Sequence, residues 1–345
     1  MKYSLRQPAK RVMVAVAAIG SAAIIAAAAW FSAPPAAAQS IMEWAREFPL
    51  TDFSSNRIPF DEIEFDGARR DSIPPIHNPV FRSVDNVEEL GALEPVISVE
   101  LEGEARAYPL RIMLWHEIVN DRIGQVPFLV TYCPLCNSGL VFDRRLDGRE
   151  LSFGNTGRIR HFDMVMYDHQ TETWWQQFGG EGLIGELAGS RMKLLPARLE
   201  SLETFRTRSP HGEVLVPEDP SIRPYGDSPY AGMDGRIPSK SRFPYDIPES
   251  LRMFDYVVVV GERAWPLDRV AEEGRIEEAG IVLERAAARN SLHDERQIAA
   301  GRELTGVRVA RTGRSNEEIP YDVTFAFAFS AFVPDGEWML GTSAE

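Results

Sequence analysis

Val126-Pro127-Phe128-Leu129-Val130-Thr131-Tyr132-Cys133-Pro134-Leu135-Cys136-Asn137-Ser138-Gly139 decides how the chain is read. Val126 to Tyr132 is an apolar, β-branched and aromatic run that fits a buried strand and delivers Cys133 at its end. After Cys136, residues Gly139 to Arg145 and Glu150 to Gly154 alternate around Asp147-Gly148, a hairpin turn signal. The cysteine pair therefore sits between strands. A thioredoxin-like fold needs a helix to open at the pair and stabilise the thiolate, and none follows here. The residue after Cys136 is Asn137, which excludes ordinary c-type haem attachment.

Outward from this point the texture stays β. Val96 to Leu101 and Glu104 to Tyr108 read as strand, turn and strand, and Leu110 to Val119 as a short helix. Asp163 to Tyr167 and Thr173 to Phe178 suit further strands. Arg269 to His293 is charged and Ala-rich and reads as partly helical. In Val323 to Phe329 large and small residues alternate as in a strand packed on a core. Tyr108-Pro109-Leu110 and Trp265-Pro266-Leu267 each close a strand–turn–strand, which suggests a repeated β unit. The expected fold class is α+β and β-rich, mostly antiparallel sheets with a weakly repeated β unit. The expected organisation is a signal peptide or N-terminal anchor (1–38), an extended leader packed on the body (39–93) and a Cys-x-x-Cys β-rich domain (94–216). A Pro/Gly-rich loop or linker (217–250) and a second β-containing lobe (251–345) follow.

Lys2, Arg6, Lys10 and Arg11 precede an apolar run from Val12 to Phe31, and Ala36-Ala37-Ala38 fits a small-residue cleavage site before Gln39. The apolar run is also long enough for an uncleaved anchor. Either reading places the body outside the cytoplasm, periplasmic or extracellular; the membrane is a partner only if the segment stays uncleaved. The chain has 345 residues, 26% of them charged, and a formal net charge of −14. That balance repels phosphate backbones, so nucleic acid is not an expected partner. A small-molecule substrate or ligand is.

With two cysteines in 345 residues, a disulfide-stapled scaffold is excluded. The pair is a metal site, a redox dithiol or an inert disulfide. A Pro and a Gly around two cysteines between strands suit a metal knuckle, and two thiolates with an imidazole favour Zn or Cu. Three protein ligands and an open position would make the site catalytic. The expected metal ligands are Cys133, Cys136, His116 and His161, with Glu117 and Asp163 as catalytic residues, Glu117 supporting a ligand from behind or carrying protons and Asp163 in the wall of the cleft. A His and a Glu ahead of a Cys pair supply the ingredients of zinc deaminases, although the spacing differs. His169, Asp168, Trp174, Trp175 and Gln176 are the expected substrate cleft, the indoles offering a stacking surface. The leading function is an exported metal-dependent enzyme acting on a small molecule. The alternatives are a thiol–disulfide redox protein and a sugar- or peptide-binding module with an inert disulfide. No Walker, G-x-S-x-G or H-E-x-x-H motif is present.

Trp115-His116-Glu117-Ile118-Val119-Asn120-Asp121, Tyr132-Cys133-Pro134-Leu135-Cys136, Val141-Phe142-Asp143-Arg144, Asp163 to Asp168 and Thr173 to Phe178 occur in an order that resembles a prokaryotic domain-of-unknown-function family (DUF 3179). Ile73-Pro74-Pro75-Ile76 and Phe327 to Phe332 also fit it. Val333 stands where that family is expected to carry a His. The resemblance implies no activity.

Overall fold

The computed structural model describes residues 36–65, 67–237 and 243–341. The expected signal, 1–38, lies almost wholly outside them. Among the described residues no helix is long and apolar enough to cross a membrane. Residues up to Arg46 form one unit, which carries most of the helix Ala36–Glu47 with Arg46 in its last turn. Residues 47–345 form the second.

That second unit is built from small, mostly antiparallel sheets. Strands make up 40% of the structure and helices 15%, and the arrangement resembles a five-bladed β-propeller. Each α-helix of this unit is a single seven-residue connector, so the helices form no layer of their own. The chain is β-rich, and the α+β expectation gives way to a mostly-β architecture.

The repeated unit is larger than the two aromatic-Pro-Leu segments. Pro95–Leu101 pairs antiparallel with Glu104–Pro109, and the helix Leu110–His116 follows. Tyr256–Val260 pairs with Arg263–Pro266, and Leu267–Glu273 follows. Pro109 and Pro266 are the N-caps of those helices, with φ −60° and −55°. Their lack of an amide proton costs nothing at a helix start. Each hairpin then receives a distant antiparallel strand, Arg198–Ser201 or Asp322–Phe325. A seven-residue helix follows in each case, Leu202–Arg208 or Ala326–Phe332. A parallel strand then joins each hairpin, Glu213–Val216 or Glu337–Trp338, and Val80–Ser83 adds a further edge strand to the first sheet. The same topology thus occurs twice.

One local expectation is corrected and another is made specific. Val323 to Phe329 is not one strand: it turns at Phe325 into the helix Ala326–Phe332. Alanine favours helix, and Phe327 and Phe329 are both buried without the alternation of a strand. Arg269 to His293 is helical only to Glu273; Arg275–Glu278 and Ile281–Asn290 are strands. Tertiary pairing with Glu303–Arg311 overrides the local preference of the Ala run.

The inserts between the repeated parts are meanders. Ile118–Ile123, Val126–Cys133 and Ser138–Asp143 form one sheet. Phe153–Arg160, Asp163–Asp168, Trp174–Gln176 and Gly182–Ile184 form another, edged by Glu64–Phe65. One continuous core runs beneath, with Tyr108, Phe128, Tyr132, Phe142, Trp175 and Trp265 at 2% exposure or less. The Asp147-Gly148 turn has φ of 49° and 77°, the left-handed pair a two-residue hairpin requires.

Candidate metal centre

Cys133 ends one strand and pairs with Ser138, which begins the next. Pro134 to Asn137 is therefore a four-residue hairpin tip that carries Cys136, with Cys133 at its base. Asn137 takes φ 53°, a left-handed conformation Asn tolerates. Its side chain accepts from Tyr132 Oη at 3.0 Å and donates to the Val323 carbonyl at 2.7 Å.

The tip is held from three sides. His293 Nε2 donates to the Pro134 carbonyl at 2.7 Å. Phe325 N and Thr324 Oγ1 donate to the Cys136 carbonyl at 3.0 and 2.6 Å. Asp322 accepts from Ser138 Oγ at 2.5 Å and from Gly139 N at 3.0 Å. Strand Asp322–Phe325 thus clamps the hairpin from far along the chain.

A second hairpin closes over the thiols. Arg160 pairs with Asp163, so His161-Phe162 is a two-residue turn, with φ of 52° and 62°. Asn-Gly is the usual occupant; a Phe there holds strained backbone, and such strain concentrates at functional sites. The turn presents the Phe162 carbonyl to Cys133 Sγ at 3.7 Å, and the Asp163 Oδ1 accepts from Cys136 Sγ at 3.1 Å. Gln176 Nε2 and Phe178 N donate to Asp163 Oδ2 at 2.5 and 2.8 Å.

Ligand atoms of Cys133, Cys136 and Asp163 all lie within 4.8 Å of one another, and the three residues are fully buried. Both cysteines are free thiols. Burial pushes both thiols up, and Cys136 further because its neighbours are the Cys133 thiol and the Asp163 carboxylate. Burial also raises Asp163, against the donors that hold it. Asp322, nearby, is raised to about 6 by burial. Among the described residues the group gathers acids and no cation, an arrangement that suits protons or a metal ion.

The other expected residues are placed as follows. Glu117 caps a helix at φ 58° and accepts from Asn155 Nδ2 at 2.5 Å; its charge acts on Cys133. His116 does not join the sulfurs. Its Nδ1 meets the Pro74 carbonyl and its Nε2 meets Tyr225 Oη, each at 2.8 Å, so both ring nitrogens are engaged. His161 points to Glu62 at 3.5 Å and Tyr245 Oη at 3.4 Å, since its turn directs Asp163 inward instead. His169 meets the Ser152 carbonyl at 2.9 Å and Tyr167 Oη at 3.2 Å. Asp168 is buried and bonded to Thr171 and to Trp175 Nε1 at 2.9 Å.

Trp174 and Trp175 are fully buried, and neither offers a stacking surface. Trp174 packs edge-on against Phe48 and Phe53. Gln176 lies at the boundary between the buried group and a cleft. Its Oε1 accepts from Arg160 Nη1 at 3.2 Å. The cleft, about 500 Å³, is lined by Gln176, Phe178, Arg160, Asp322 and Phe332 among others. Sequence reasoning missed Asp322, His293 and the Phe162 carbonyl. None carries a local signal, because each reaches the cysteines only through tertiary pairing.

Fold and site define a mostly-β protein built of small sheets, with a buried Cys-Cys-carboxylate group that could hold a metal. The chain belongs to the family described as protein of unknown function (DUF3179), matched over residues 70–336, as the order of its motifs indicated. No curated protein and no solved structure matches it.

Proposed function

We propose that this is an exported protein with a soft-metal centre, zinc or copper, held by Cys133, Cys136 and Asp163, and that it acts as a metal-dependent enzyme on a small molecule. The observation that carries this reading is the convergence of three buried ligand atoms within 4.8 Å. Two thiolates and a carboxylate suit a borderline-soft divalent ion. Three protein ligands leave a position for substrate, and a bound ion would supply Lewis acidity there. Gln176 and Phe178 hold Asp163 from the cleft side, so the cleft supports a small-molecule approach. Both thiols are raised by burial. Metal uptake would therefore release their protons and strengthen with pH.

One contact favours a second reading. Cys136 Sγ donates directly to a buried carboxylate at 3.1 Å, which gives a dithiol a resident proton acceptor for thiol–disulfide exchange.

The test is the metal content of protein purified from the cell envelope, whose N-terminus should lie near Gln39. Wild type should carry about one equivalent of Zn or Cu, and Cys133→Ser and Asp163→Asn should lose it. A metal-free wild type whose thiols oxidise reversibly would replace the metal reading with the dithiol.

A further inference from the structure

Arg289 lies in the strand Ile281–Asn290 and pairs with Leu304, next to a bulge that begins at Ala286. Its side chain is in the interior, and the residue is 3% exposed. Among the described residues it forms no ion pair, and its enclosed Nη1 meets no acceptor. Its electrostatic neighbours are Tyr256, Tyr321 and Tyr132. Burial raises the pKa of each of these phenols, so all three stay neutral. Their hydroxyl protons are also turned to other partners: Tyr132 to Asn137 at 3.0 Å, Tyr321 to the Val307 carbonyl at 3.1 Å, and Tyr256 to Asp234 at 3.2 Å. Asp234, the buried acid in that set, is bonded to Arg302 at 2.9 Å.

A guanidinium taken out of water without a counter-charge is among the most costly arrangements in a folded chain. The other cations of this interior show the contrast: Arg111 meets Glu94 at 2.6 Å, and Arg106 meets Asp121 at 2.9 Å. Water would satisfy the donors of Arg289 and leave its charge unopposed. A monoanion satisfies both. The guanidinium fork matches two oxygens of a planar anion, and the burial of Arg289 limits the size.

We infer that Arg289, buried and without an ion-pair partner among the described residues, is the binding site of a small planar monoanion of the carboxylate class. The inference is independent of the metal reading.

The test uses the full protein in sodium formate and in sodium chloride at equal ionic strength. Formate at about a hundred times its dissociation constant should raise the wild-type melting midpoint by about 5 °C over chloride, with saturation. Arg289→Met, which keeps the volume and removes the charge, should show no formate-specific shift. Equal midpoints in the two salts, or a formate shift that persists in Arg289→Met, overturn the inference. If that variant does not fold, wild type alone decides. The line of ¹³C-formate should broaden with protein and sharpen when excess nitrate competes; a line of free width overturns the proposal.

Discussion

Asp322→Asn is the perturbation whose size is most directly readable. The Asp322 carboxyl is 5% exposed, and burial raises it from an ordinary 3.8 to about 6. An acid raised on folding binds its proton more tightly in the native state. Stability is therefore highest below 3.8, falls as pH rises from 3.8 to about 6, and stays low above. The gap corresponds to about 3 kcal/mol lost by pH 8. Asn keeps the shape and removes the titration. Its oxygen can accept from Gly139 N, and its amide can donate to Ser138 Oγ once that hydroxyl turns. Wild type alone is a poor reporter, because His293 works the other way. Burial lowers its pKa from 6.5 to about 4, so its contribution is present above 6.5 and lost as pH falls to 4. The difference between variant and wild type cancels that part. Urea unfolding of EDTA-treated protein at a series of pH values should give a near-zero difference at pH 4. It should grow to about 3 kcal/mol in favour of Asp322→Asn at pH 8. A difference that does not change with pH, or that grows with the opposite sign, would refute the argument that burial dominates over the two donors.

Two further substitutions test the frame of the site. His293→Phe leaves the Pro134 carbonyl without its donor and should cost about 1–3 kcal/mol at pH 8. His293→Gln should recover part of that, and the visible spectrum of cobalt-loaded protein should shift in the Phe variant and return toward wild type in the Gln variant; identical spectra would show that the histidine does not position the cysteine tip. Trp175→Phe removes the indole donor from buried Asp168 and some core volume, and should lower stability by about 3 kcal/mol in denaturant titration. A loss below 1 kcal/mol would mean that Thr171 and the backbone amides suffice for Asp168.

The parts of the fold legible in sequence were those whose signals are local. Val126 to Cys133 declared itself by an unbroken apolar run, and Asp147-Gly148 by its turn chemistry. Pro109 and Pro266 marked the repeated unit because a proline before a helix has a steric meaning that needs no partner. Asp322–Phe325 did not declare itself: the alternating Phe and Ala that follow satisfy a strand pattern, and only the clamp on Ser138 and Cys136 fixes where the strand stops. The site was half legible for the same reason. Cys133 and Cys136 announce each other by spacing, and Asp163 stands out as an acid at the head of an apolar strand. His116 carried the residue type of a ligand, yet its ring is consumed by Pro74 and Tyr225, contacts from segments far away in sequence. Trp174 and Trp175 looked like a platform because adjacent residues on a strand face opposite ways, but sheets and edges cover both faces here.

The clamp on the cysteine hairpin has a consequence for the order in which the molecule can be made. The hairpin is complete by Asp143, whereas Thr324 reaches the Cys136 carbonyl across 188 positions and Asp322 reaches Ser138 across 184. Long loops must close before those bonds reward the chain, which places them late in folding. On the ribosome, or in any vectorial passage of the chain, the cysteine hairpin exists for most of that interval without the strand that clamps it. Until that strand arrives, the geometry of the hairpin is a property of an intermediate rather than of the finished protein. A chain cut before Asp322 would keep Cys133, Cys136 and Asp163 and lose the bonds that hold the hairpin at Cys136 and Ser138.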